Sequence, residues 1–194
     1  MRGCLIVGLA AALGATVATA QEERRELGAH EHGHAALNIA VEGKRVAMEF
    51  RAPGMDVVGF EHEAATDADK AAMRRAEAAL KDPLALFVLP SAAGCKVATA
   101  KVGLEAEEEH EAGHVEGERH VRGEAAVEEG EHTEFHAEYA LDCADPGRID
   151  AITFAFFEMF PGAEEIEVTL LTERGQTSYE VERDRPRLAI GGSS

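Results

Sequence analysis

Basic side chains are scarce in this sequence: 194 residues carry 19 Lys+Arg against 37 Asp+Glu, a formal net charge of −18. A field of that sign repels nucleic acid and anionic membrane surfaces and draws in cations, so nucleic-acid binding is excluded. Long apolar runs are missing too. The most extended one, Leu5 to Val17, is rich in Ala and Gly and falls short of the ~20 residues that a helical span requires. With Arg2 before it and Ala18-Thr19-Ala20 after it, residues 1–20 read as a secretory signal peptide, and Cys4 lies too early for lipidation after cleavage. The expectation is an exported protein with no membrane insertion of its mature chain, residues 21–194, which is sized for a single domain. That chain would begin Gln21-Glu22-Glu23, and with no His in third position it lacks an amino-terminal copper site.

Cysteine is equally sparse. Only Cys95 and Cys143 follow the signal segment, and neither has a Cys or His two to four residues away, the spacing that thiolate zinc sites use. Export into an oxidising compartment makes a disulfide between them the expected state.

Large apolar side chains are nearly absent from one further stretch, Glu105 to Glu134, which holds twelve Glu, four His, four Gly and two Arg. It cannot bury enough surface for a core of its own. What it offers is neutral imidazole and carboxylate, the ligand set of zinc and its neighbours in the transition series. His110, His114, His120 and His132, on a flexible metal-binding loop at residues 105–133, and His136 just after it are the candidate ligands. His110, Glu111, His114, Gly117 and His120 also spell H-E-x-x-H-x-x-G-x-x-H, the metzincin protease pattern, in which Glu111 would activate a zinc-bound water. That chemistry needs a packed helix. Gly113 and Gly117 each weaken a helix by ~1 kcal/mol relative to Ala, no apolar stripe accompanies the histidines, and a short unpacked helix is marginal in water. A non-catalytic metal site is therefore the reading, with a secreted metalloprotease as the alternative and a merely solvated acidic loop as the bland one.

A second candidate cluster lies near the start of the mature chain. His30, His32 and His34 alternate with Glu31 and Gly33, and in an extended chain that spacing puts three imidazoles on one side; the competing reading is a frayed strand start. His62, between Glu61 and Glu63, either joins such a site or is an ordinary surface or core histidine.

Periodicity predicts strands over Ala35–Val41 and Arg45–Arg51 around a Glu42-Gly43-Lys44 turn. A helix capped by Thr66 and Asp67 runs to about Lys81, with a short helix over Leu84–Leu89. Strands Lys96–Leu104 and Glu134–Asp142 can pair so that Cys95 faces Cys143, Val97 faces Leu141 and Thr99 faces Tyr139, which makes the acidic segment the long loop of a hairpin clamped at its base. Asp145-Pro146-Gly147 makes a turn. Ile149–Phe157 reads as a buried strand leading into a helical turn that ends at Pro161-Gly162. A hairpin around Glu173-Arg174-Gly175 and a last edge strand over Leu188–Ile190 complete an α+β fold: a mainly antiparallel sheet of hairpins, one or two helices packed on it, and the long disordered His/Glu-rich loop. A weak internal similarity pairs His34-Ala35-Ala36 and Val46–Phe50 with His136-Ala137-Glu138 and Ile149–Phe154.

His30-x-His32-Gly33 running into Leu37-Asn38-Ile39-Ala40, then Gly59-Phe60-Glu61-His62, Cys95 and Cys143, Phe157-x-x-Phe160-Pro161-Gly162 and Gly175-Gln176 resemble the periplasmic ZrgA-like zinc-uptake family. The similarity covers nearly the whole mature chain, against eleven residues for the protease string. It implies a non-enzymatic periplasmic protein that captures or buffers Zn2+ and assists its uptake under zinc limitation, with a His-rich middle of variable length and a zinc ABC-transporter component as a candidate partner. Ligand types alone do not fix the metal, since copper or nickel would bind such a set at least as readily as zinc in a test tube.

Overall fold

The computed structural model describes residues 32–106 and 133–190. Residues 1–20, expected to be a signal peptide, and residues 107–132 of the acidic stretch lie outside them. The elements follow in the order β1 (His34–Glu42), β2 (Arg45–Pro53), α1 (Gly54–Val58), α2 (Asp67–Leu80), α3 (Pro83–Leu86), β3 (Phe87–Val88), β4 (Cys95–Ala106), β5 (Thr133–Cys143), β6 (Ala151–Phe154), α4 (Phe156–Met159), β7 (Glu165–Thr172), β8 (Gly175–Glu182) and β9 (Arg187–Ala189).

A six-stranded sheet in the order β4-β5-β2-β1-β7-β8 forms one layer. Alternation along its strands buries Leu37 and Ile39, Val46, Met48 and Phe50, Phe135 and Leu141, and Ile166 and Val168 on one face. Against that face sit the helices and a small sheet, β3-β6-β9. An aromatic cluster fills the join, with the Phe156 ring 4.9 Å from Phe50 and 4.8 Å from Phe160. Helix α2 begins where the sequence expects: the Thr66 hydroxyl accepts from the Asp69 amide and the Asp69 carboxylate accepts from the Thr66 amide, a complete capping box.

The α+β class holds, and so does the disulfide: Cys95 and Cys143 are cross-strand partners and are bonded. Three details differ from the sequence reading. The sheet is mixed, because β1 pairs with β7 in parallel. The β4–β5 register starts as predicted, with Cys95 opposite Cys143 and Val97 opposite Leu141, but an irregularity between Val97 and Thr99 then sets Thr99 opposite Ala140 and Ala100 opposite Tyr139. That is a β-bulge, one extra residue on β4 that changes the pairing of every residue after it. The helix predicted over Leu84–Leu89 stops at Leu86, because Phe87 and Val88 pair with β6. The internal similarity does not extend to architecture: β1 and β2 form a hairpin, whereas β5 and β6 belong to different sheets.

Candidate metal centre

Strand register brings the sequence's chemistry to one end of the large sheet. His34 is level with Glu165, Pro53 with Glu134, and Glu105 with Glu134. Ala106 and Thr133, which flank residues 107–132, are cross-strand partners. The His/Glu-rich segment therefore leaves and re-enters the fold at the end where β1 begins.

At that end His32-Gly33-His34 makes a turn into β1. His32 Nε2 lies 3.1 Å from Glu61 Oε1, and His34 Nδ1 lies 3.8 Å from Glu165 Oε1. Beneath the turn, Asp56 of α1, only 3% exposed, accepts the Gly33 amide on both carboxylate oxygens, at 2.8 and 2.9 Å. The Gly33 carbonyl in turn accepts from the amides of Glu164 (2.7 Å) and Glu165 (2.9 Å). Gly33 has φ +91°, and a Cβ at Gly162 would stand 2.6 Å from the Asp56 backbone, so the Phe160-Pro161-Gly162 segment can pack there only with a bare Cα. Burial pushes the Asp56 carboxyl above its ordinary pKa, against the pull of the Gly33 amide and the two imidazoles. The Glu61 carbonyl accepts from the Thr133 hydroxyl at 3.5 Å, which ties this turn to the end of the insertion.

Arg183, just past β8, holds the neighbouring segment. Its guanidinium donates to the carbonyls of Phe157 (2.8 Å), Phe160 (3.2 Å) and Ala163, and sits 5.5 Å over the Phe157 ring.

His136 occupies a different setting, on the sheet face away from the core. Its Nδ1 is 2.9 Å from Glu105 Oε1 and its Nε2 3.2 Å from Glu49 Oε1. Arg51 donates to Glu49 at 3.0 and 3.2 Å and to the buried Glu134 at 3.2 Å. Burial works to raise the Glu49 pKa, but the hydrogen bond and charge of Arg51, with Asn38 and His136, hold it below its ordinary value. Both ring nitrogens of His136 face carboxylates, so an ion would have to displace one of those bonds. In this arrangement His136 ties β5 to β2 and β4.

His62 points elsewhere: its ring stacks 4.7 Å from Phe60 and its Nδ1 lies 2.9 Å from the Glu63 carbonyl. Of the predicted ligands, His32 and His34 are thus brought together on one turn, while His62 and His136 stand apart from it. His30, His110, His114, His120 and His132 lie outside the described residues. Among the described residues, no three His, Cys, Asp or Glu side chains converge tightly enough to hold an ion by themselves. Sequence reasoning missed Asp56, whose one local signal is an acid set among Met55, Val57 and Val58. It also missed Arg51, which joins nearby Glu49 to distant Glu134, and Arg183, whose carbonyl partners are all on another segment.

A family model described as ZrgA family zinc uptake protein matches residues 29–190. The chain belongs to the ZrgA family. The match spans every described element of the fold, including the His32-Gly33-His34 turn, the disulfide and the Arg183-held segment. Membership supports a zinc-uptake role for the chain. No curated protein matches the sequence. Among the described residues, no helix is long and apolar enough to cross a membrane.

Proposed function

We propose that this ZrgA-family chain is a non-catalytic periplasmic protein, exported by residues 1–20, that captures or buffers Zn2+ and helps deliver it to an uptake system under zinc limitation. A zinc ABC-transporter component is the partner of this reading. The observation that carries it is the shared sheet end: His32 and His34, with Glu61 and Glu165 beside them, flank the point where the His/Glu-rich segment 107–132 joins the fold. Carboxylates raise the local cation concentration there. Imidazole supplies the more selective ligand.

The test is equilibrium zinc stoichiometry of the mature protein, of His32→Ala/His34→Ala, and of a variant with residues 107–132 replaced by Asn-Gly. Both changes should lower the number of bound ions, and unchanged stoichiometry in both would overturn the reading. Imidazole must be neutral to ligate, so affinity should fall as pH drops from about 7.5 to about 5.5, the range around the ordinary histidine pKa of about 6.5. The zinc-loaded protein should leave a peptide library intact. Hydrolysis that disappears on Glu111→Gln would replace this function with the metalloprotease.

A further inference from the structure

We propose that the open edge of β8 binds a second copy of this chain, β8 against β8 in antiparallel sense with Ser178 on the two-fold axis, so that two large sheets run on as one. The contact is independent of zinc. β8 is the last strand in the sheet order and pairs only with β7. Bonding residues alternate along an antiparallel pair, and at its end the Arg183 amide donates to the Glu164 carbonyl at 2.9 Å. Counting back by two, Val181, Tyr179 and Thr177 turn their backbone groups to β7, while Glu180, Ser178 and Gln176 turn theirs outward. Among the described residues, no other strand or turn bonds those three. Their side chains are exposed as well, and Tyr179 is only partly buried. The opposite edge is guarded: β4 carries Lys96 and Lys101, and the irregularity between Val97 and Thr99 breaks its line. Such devices keep an edge from pairing. β8 has no Lys, no Pro and no break in register, and its charged residues, Glu180 and Glu182, sit towards one end.

That polarity is what selects a second copy. Only the outward-facing residues can bond across the edge, so possible registers differ by steps of two. With Ser178 opposite itself, Glu180 lies opposite Gln176 of the second copy and Glu182 opposite Arg174, which is exposed in the turn before β8. Arg185 bonds one oxygen of Glu182, and Arg174 of the second copy would take the other. Tyr179 then meets Thr177, an aromatic ring beside a β-branched residue. Two residues further along, Glu180 would stand diagonal to Glu180 of the second copy, and like charges oppose that register. The antiparallel sense also keeps the acidic ends of the sheets apart. Glu182 is level with Glu165, and Glu165 with His34, so β8 finishes at the end where residues 107–132 join the fold. In the pair those ends point opposite ways, which limits the repulsion between chains of net charge −18. One strand laid on one strand is a small interface, so the pair is weak and reversible.

The test is sedimentation equilibrium of the mature protein up to millimolar concentration, with amide hydrogen exchange followed by NMR over the same range. A reversible monomer–dimer equilibrium is expected. Exchange at Gln176, Ser178 and Glu180 should slow as concentration rises, while Thr177 and Val181, already bonded to β7, should not change. Ser178→Pro removes an outward N–H and no bond to β7, so it should keep the fold and abolish the dimer. Arg174→Glu should weaken association by about 3- to 10-fold, and Arg174→Glu/Glu182→Arg should recover it. A chain that stays monomeric at millimolar concentration overturns the proposal, as does a dimer that Ser178→Pro leaves intact or a double swap no tighter than Arg174→Glu alone. Should Ser178→Pro not fold, the unmutated protein still decides through the three outward amides. Protection of those amides at every concentration would mean that the chain covers its own edge, and protection by an oligolysine peptide in a persistent monomer would give the edge to a basic partner; either result refutes self-pairing.

Discussion

Replacing Cys95 and Cys143 by Ala should destabilise the protein by an amount that depends on the length of chain between them. The bridge joins residues 48 apart, and a closed loop of that length removes about 4 kcal/mol of unfolded-state entropy in the chain model. Residues 107–132 make up about half of the loop, and Ala106 and Thr133 are already cross-strand partners. A two-residue Asn-Gly turn can therefore replace the segment without altering the register on either side. In that shortened protein the same bridge closes about half as many residues, and its worth falls to about 3.4 kcal/mol. Urea unfolding of the four proteins, with and without the bridge and with and without the segment, gives both numbers and their difference, about 0.6 kcal/mol. The sign is the informative part: the bridge must be worth more in the longer chain. A loss under about 1 kcal/mol on Cys→Ala, or a larger loss in the shortened protein, would refute the view that the bridge acts by restricting the unfolded chain.

The Tyr139 hydroxyl is buried with no hydrogen-bond partner among the described residues, and burial pushes its pKa far up. Tyr139→Phe removes an unsatisfied polar group and should raise stability by about 1 kcal/mol; a lower melting temperature would show that the hydroxyl has a partner after all. Arg183→Lys should cost roughly 2 kcal/mol in chemical denaturation, because an ammonium cannot serve the carbonyls of Phe157, Phe160 and Ala163 as a planar guanidinium does. An unchanged unfolding midpoint for Arg183→Lys would show that the three carbonyls are met without that fork.

What could be read in the sequence were features whose cause is local. Helix α2 declared its start through Thr66 and Asp67, although the partner that closes the cap is Asp69, and the β1–β2 hairpin showed itself through alternation around Gly43. The Cys pair fixed one register point, and the pairing followed from it as far as Val97. The bulge beyond Val97 left no trace, since Ala98 is an ordinary residue in an ordinary strand and the extra residue shows only against its partner. The parallel β1–β7 pair was equally invisible, because alternation tells which face a strand buries and not which distant strand lies beside it. At the candidate site the histidines announced themselves by type and spacing. Asp56, Arg51 and Arg183 did not, because each draws its role from partners that only the folded chain brings near.

The parallel pairing of β1 with β7 also orders events as the chain is made. β1 and β2 can close their hairpin early, yet they are the two central strands of the six, and both their outer edges must be covered by segments that arrive much later. One edge waits for Thr133–Cys143, the other for Glu165–Thr172. Contacts between residues so far apart in sequence form slowly, after the entropy of closing the intervening chain has been met. During that interval the hairpin presents two unpaired strand edges with Leu37, Ile39, Met48 and Phe50 on a single face, the arrangement that pairs with other chains when nothing covers it. A chain cut short before Glu165 keeps the Ala36–Ala40 edge bare and is directed towards association with its own kind, not towards a smaller stable sheet.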